Sequence, residues 1–180
     1  CLTMVPQLTE ECYRILILRL PKKNMITSDF RDCLKYLLLL ADFSLANASE
    51  AGQICLVDCA GVTISCLRQL TISFMRTAIC LLLKIYPCRM REIRLLNVNR
   101  MIRPFISMVK VLLPTKLKQR LVIHASYSDL LERFPAEYIP KDYGGDGDSC
   151  EDTSENWRRF FMENRIWIEE YDKLTTRDEK

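Results

Sequence analysis

Four apolar runs too short to be independent helices, separated by stretches with helical periodicity, constrain this chain more than any other feature. Cys12 to Leu20 is rich in Ile and Leu and lies between Glu10-Glu11 and Pro21-Lys22-Lys23-Asn24. Ile54 to Val57, Ile93 to Leu96 and Leu121 to His124 are shorter still. Such runs, bounded by turn residues, read as strands, and the unbroken Ile54 run reads as a central strand buried on both faces. The stretches between them are amphipathic. Ser28 is placed to cap a helix whose apolar positions Leu34, Leu37, Leu38 and Ala41 recur at helical spacing to about Phe43. Leu70, Phe74, Ala78, Leu81, Leu82 and Ile85 form one stripe of a helix expected from Leu67 to Tyr86 and stopped by Pro87. Pro104 suits the first turn of a further helix, from Arg103 to about Leu113, which Pro114 ends. Strands alternating with helices predict an α/β fold with a mainly parallel sheet and helices packed on it.

At 180 residues the chain has room for a single domain with a real core. That core is expected over residues 10–145. Pro135, Pro140 and Gly144-Gly145 mark a long turn, Ser126 and Asp129 have capping-box spacing, and an acidic loop from Asp146 to Glu155 leads into a last helix. This final segment, 146–173, carries Trp157, Phe160, Phe161, Ile168 and Tyr171. No apolar run reaches the ~18 residues that cross a bilayer. Nine cysteines, an odd number placed largely inside apolar segments, suit a reducing compartment better than a disulfide framework. The expected location is therefore cytoplasmic. The start at Cys1, without a signal or transit leader, reads as that of a fragment whose N-terminal part is missing.

The net charge of +3 is unevenly spread. Between Tyr86 and Arg120 stand Arg89, Arg91, Arg94, Arg100, Arg103, Lys110, Lys116, Lys118 and Arg120 against Glu92 alone, so this stretch carries +8 and the remainder −5. Several chemistries are excluded by what is missing. Neither a GxGxxG nor a GxxxxGK[ST] loop occurs, and there is no GxSxG nucleophile turn. His124, the sole histidine, has no acid within three positions and reads as structural. Cys55 and Cys59 lack zinc-ligand spacing, and Asp142, Asp146, Asp148, Glu151 and Asp152 lack the order of a calcium loop, so neither metal is expected. The basic stretch is short of aromatic residues, which argues against nucleic acid.

Ile54 to Gly61 (ICLVDCAG), Tyr86-Pro87 after a long helix, Ile93 to Asn97 (IRLLN) and Tyr143-Gly144-Gly145 stand in an order and spacing that resembles the CRAL-TRIO family. The resemblance runs from about Glu10 to Tyr171 and is nearest to the tocopherol transfer and retinaldehyde-binding branch. It implies a sheet floor under a helical wall, with a mobile gate helix closing an apolar lipid pocket. The family's small N-terminal helical domain is absent from this sequence. No catalysis is implied, and no cofactor besides a bound hydrophobic lipid that is tocopherol-, retinoid- or phospholipid-like.

By the same resemblance, Arg89, Arg91, Lys116 and Arg120 match four basic side chains that hold phosphoinositide phosphates. Fixed cations suit phosphate, and Arg offers a planar fork for two oxygens. The implied pocket takes its wall from Leu70, Phe74, Ala78, Leu81 and Leu82, its floor from Cys55, Val57 and Ile93, and its gate from Ile102, Ile106 and Val109. Tyr36 and Leu39 lie near positions where tocopherol carriers have small polar residues, which suggests a different or less polar ligand. The chain departs from the family pattern at Asn97-Val98-Asn99, where Asn-x-Pro is usual, so its gate helix is expected to start later. The expected partners are a hydrophobic lipid and a phosphoinositide or anionic membrane surface, touched transiently. The alternative expectation is a phosphoinositide-dependent recruitment module that transports nothing.

Overall fold

The computed structural model describes residues 1–19, 30–47, 50–85, 89–166 and 169. Five strands, β1 (Leu2–Leu8), β2 (Tyr13–Arg19), β3 (Gly52–Asp58), β4 (Met90–Leu96) and β5 (Leu121–Ile123), form one sheet in chain order. β1 and β2 are antiparallel, and the other three pairings are parallel. Parallel neighbours need a crossover that returns along the sheet, and helices supply it. α1 (Phe30–Asn47) joins β2 to β3. The next crossover holds α2 (Ile64–Gln69), α3 (Ile72–Cys80) and a π-helical turn, Leu81–Ile85, and the third holds α4 (Arg103–Leu112) and α5 (Thr115–Lys118). After β5 come α6 (Ser128–Leu131), two short 3-10 turns and α7 (Cys150–Glu163).

Alternation along the strands sorts the core onto two faces. Ile15, Ile17, Ile54, Leu56 and Leu96 pack under the segment after β5, against Leu130, Phe134, Ile139, Tyr143 and Cys150. On the opposite face Leu16 and Cys55 meet Leu37 and Leu40 of α1 and Phe161 of α7. Leu95 and Cys59 meet Ile102, just ahead of α4, and Ile106 of α4 on that same face, and Val57 and Ile93 touch both groups. α7 thus starts on one face with Cys150 and ends on the other with Phe161, packing along β1 as it crosses. Trp157 Nε1 donates to the Met4 carbonyl at 2.7 Å, which helps cover this edge strand.

Several sequence expectations change. The helix expected from Leu67 to Tyr86 is broken at Leu70-Thr71, so Leu70 ends α2 instead of lining α3. The cause is a pair of threonines. Thr63 accepts the Cys66 N–H at 3.3 Å and Thr71 accepts the Phe74 N–H at 3.2 Å, each side chain starting a helix of its own. The acidic loop expected to reach Glu155 is helical from Cys150, because Ser149 accepts the Asp152 N–H at 3.0 Å and Glu151 and Asp152 sit favourably at the positive helix end. β1 and α5 had no sequence signal strong enough to be read, and α1 runs beyond Phe43. Ser126 does bond Asp129, its hydroxyl accepting the Asp129 N–H at 3.5 Å and donating to Asp129 Oδ1 at 2.8 Å, but the residue at the start of α6 is Tyr127, which makes no side-chain cap. Leu20, Ser28, Tyr86, Pro87, Ile168 and Tyr171 lie outside the described residues.

Candidate functional site

The helix-covered face gathers most of the apolar residues implied for a pocket. Cys55 and Val57 are alternate residues of β3, and Ile93 lies beside Cys55 in register. Cys55 is buried, and burial pushes its thiol up to about 12, so it stays protonated near neutrality. Tyr36 and Leu39 of α1 and Leu82 of the π turn pack in the same group. The Tyr36 ring meets Phe161 edge-on at 6.2 Å, and burial raises its phenol. Ile102 and Ile106 are buried on the inner side of α4, and Ala78 is the buried residue of α3. Leu70, Phe74, Leu81 and Val109 are half-buried and belong to none of the core groups, although α3 and α4 touch.

The four cations come from two segments that the topology makes neighbours. Arg89 and Arg91 stand at the start of β4, Lys116 in α5, and Arg120 just before β5, which lies parallel to β4. Backbone contact joins the segments directly, since the Arg120 carbonyl accepts the Ile93 N–H at 3.1 Å. The Arg89 carbonyl accepts the Gln53 N–H at 2.9 Å. Glycine is required beside it, because a Cβ at Gly52 would lie 2.5 Å from that carbonyl oxygen. Gln53 pairs with Met90 but Ile54 with Glu92, so Arg91 is the extra residue of a bulge. Bulges re-aim side chains, and the Arg91 guanidinium lies 5.7 Å from the Tyr13 ring centroid.

All four cations are exposed, and among the described residues none pairs with a carboxylate. The one acid of the basic stretch is used elsewhere. Glu92 accepts from Arg94 Nε at 2.8 Å, and Arg94 also faces His124 Nε2 at 2.9 Å and the Phe134 ring at 5.0 Å. Burial, and next the Arg94 charge, lower the His124 pKa, so its ring is neutral and Nε2 accepts. His124 is therefore a structural residue. No group of three or more His, Cys, Asp or Glu able to hold a metal occurs among the described residues.

Sequence reasoning missed a polar junction at the other end of the strands. Asp58, 2% exposed, closes β3. Its Oδ1 accepts from Asn97 Nδ2 at 2.7 Å and from the Ala60 N–H at 2.9 Å, while Oδ2 accepts from the Tyr143 hydroxyl at 3.3 Å. Arg19 lies 3.4 Å from Asp58 and pairs with Asp142, whose other oxygen accepts the Cys150 N–H at 2.7 Å. Asp142 is thus an ion-pair partner within the fold. The Asn97 amide also donates to the Tyr127 hydroxyl at 2.9 Å. The three motifs ICLVDCAG, IRLLN and YGG each supply one member of this junction: Asp58, Asn97 and Tyr143. The available signal was an Asp ending an otherwise apolar strand.

Known proteins share this fold. The model of the CRAL/TRIO domain matches residues 2–145. A mouse (Mus musculus) protein, alpha-tocopherol transfer protein-like, is 24% identical over 160 residues, covering 86% of this chain and 46% of the relative. The chain therefore spans about half the length of that curated relative. The crystal structure of Sfh5 superposes with a TM-score of 0.59 at 17% identity, covering 84% of this chain and 56% of that one, and agrees in fold. The matched residues take in the sheet, the helices over its apolar face and the junction ending at Tyr143-Gly144-Gly145, and on that basis the chain belongs to the CRAL/TRIO domain family.

Proposed function

We propose that this chain is one lipid-binding domain, spanning 1–180, that encloses a small hydrophobic lipid between the sheet and helices α1, α3 and α4 and transfers it between membranes. The family binds and transfers small lipophilic molecules. The observation that supports the reading is that Cys55, Val57, Leu82 and Ile93 pack in one uncharged apolar group and Ile102 and Ile106 in a second that shares Val57 and Ile93 with it, while Leu70, Phe74, Leu81 and Val109 are only half-buried. A lipid is held in its leaflet by roughly 0.8 kcal/mol per methylene, so a carrier must offer apolar cover of like quality. A tocopherol-, retinoid- or phospholipid-like cargo meets that condition. Mass spectrometry of the organic extract of protein purified from its native source should find one such lipid near stoichiometry.

Docking is assigned to Arg89, Arg91, Lys116 and Arg120, with a phosphoinositide headgroup or anionic membrane as partner. Their support is geometric: two segments brought side by side, with no carboxylate among the described residues paired to them. Each cation near an anionic surface contributes about 1 kcal/mol, so four amount to roughly a thousandfold in affinity. No helix among the described residues is long and apolar enough to cross a membrane, and a cytoplasmic carrier touching membranes transiently fits that. In vesicle co-sedimentation, Arg91→Ala with Arg120→Ala should weaken binding to phosphoinositide vesicles at least tenfold. Binding to neutral vesicles and lipid retention should not change. Phosphoinositide binding without any extractable lipid would instead identify a recruitment module.

A further inference from the structure

Two cysteines 149 positions apart in the chain come together at the open end of the β1–β2 hairpin. The Cys1 thiol donates to the Cys150 carbonyl at 3.1 Å. Both backbones are held around Arg19. Its N–H donates to the Cys1 carbonyl at 2.8 Å, and its guanidinium pairs with Asp142, whose other oxygen accepts the Cys150 N–H at 2.7 Å. The two thiols differ in access. Cys1 is exposed, whereas Cys150, the first residue of α7, is 1% exposed. Burial, and next the Asp142 charge, hold the Cys150 thiol above its ordinary range, and bonds from the Tyr143 hydroxyl and Arg19 work against that rise. A disulfide needs neighbouring backbones, and these two residues are in direct contact.

We propose that Cys1 and Cys150 form a redox clamp, an oxidant-driven disulfide that ties the start of β1 to the start of α7. The clamp stands apart from the lipid-carrier reading. Hydrogen peroxide is the oxidant. The exposed Cys1 thiolate attacks one peroxide oxygen, so that an S–O bond forms, the O–O bond breaks, and the departing hydroxide takes up the thiol proton as water. Cys150, as thiolate, then attacks the sulfur of the resulting sulfenic acid. The S–S bond forms, the S–O bond breaks, and hydroxide leaves with the Cys150 proton as a second water. Two electrons have passed from two thiols to one peroxide. Burial keeps Cys150 protonated and away from peroxide, which leaves it as the resolving thiol, with the Arg19 charge beside it. In a reducing compartment both thiols persist, and the bond belongs to oxidant exposure. Its effect falls on α7, which runs from Cys150 along β1 to Phe161 on the helix-covered face. A link between positions so far apart in the chain removes much freedom from any state in which α7 has left β1.

A pulse of hydrogen peroxide on the reduced whole chain, followed by alkylation and peptide mapping, tests this directly. The map should recover Cys1 joined to Cys150, the pair lighter by two hydrogens. Amides of α7 should then exchange with deuterium about tenfold more slowly, and dithiothreitol should reverse both changes. Cys1→Ser alters an exposed side chain and leaves the buried Cys150 in place, so the variant keeps the fold, and it should abolish both the link and the slowing. Cys1 recovered only as its sulfinic or sulfonic acid, or joined to Cys33 or to Cys1 of a second molecule, overturns the pairing. So does Cys150 recovered joined to Cys12, which is exposed at the other end of the hairpin. A Cys1–Cys150 link that leaves α7 exchange unchanged overturns the clamp.

Discussion

Ala78 is the buried residue of α3, and its small size is the property to perturb. Trp at this position in a filled core would cost about 1–3 kcal/mol in overpacking. In a lipid-accepting space it should instead displace cargo, so Ala78→Trp is expected to keep its unfolding midpoint while uptake of a fluorescent lipid falls. His124 offers a second residue-scale test. Burial, then Arg94, lower its pKa, so below about pH 6.5 the unfolded chain binds a proton that the native one refuses. Stability is full above that range and falls as pH drops through it. His124→Gln, which keeps an acceptor for Arg94, should flatten this limb in urea unfolding between roughly pH 7 and 5. At this scale the sequence revealed side-chain type but not partnership. The basic residues could be counted, whereas the pairing of Glu92 with Arg94, which draws that acid away from the four candidate cations, depends on strand register.

Among the elements, α7 shows what was legible and what was not. Its aromatic residues were visible, but their destination was not, because nothing local says that a helix beginning beside Tyr143 will end against α1. Trp157, Phe160 and Phe161 surround Phe43 with ring centroids 5.1–6.0 Å away. Trp157→Ala would remove this packing and the bond to Met4, and is expected to cost roughly 3 kcal/mol, measured by urea unfolding. The resulting loss should loosen β1 first, seen as faster amide exchange over Leu2–Leu8. The stripe from Leu70 to Ile85 gave the right face but the wrong continuity, since apolar periodicity is blind to a threonine that caps. Strands β3 and β4 were found through their apolar centres, and their polar ends, Gln53 and Arg91, were hidden by composition.

On the scale of the whole molecule, the alternation of strands with helices already specified a mainly parallel sheet, because crossovers of that length leave few other topologies. Strand order and the convergence of residues 89–91 with 116–120 required the pairing of β4 with β5, which no one-dimensional pattern states. The concentration of positive charge in one stretch makes a further prediction. Screening shortens from about 10 Å at 0.1 M salt to about 3 Å at 1 M. Sedimentation with phosphatidylserine vesicles should therefore be lost across that range, while lipid occupancy, being apolar, persists.

The sheet topology also bears on how the chain reaches this state. Beyond the β1–β2 hairpin, every strand waits for a partner delivered by a helical crossover, so loop-closure entropy is met before pairing returns anything. Refolding should be slow for the chain's size, with the hairpin and α1 forming early and β5 docking late. Until β4 pairs with β3, Ile102 and Ile106 lack the Val57, Ile93 and Leu95 floor that covers them, and intermediates in that interval are the species most prone to self-association.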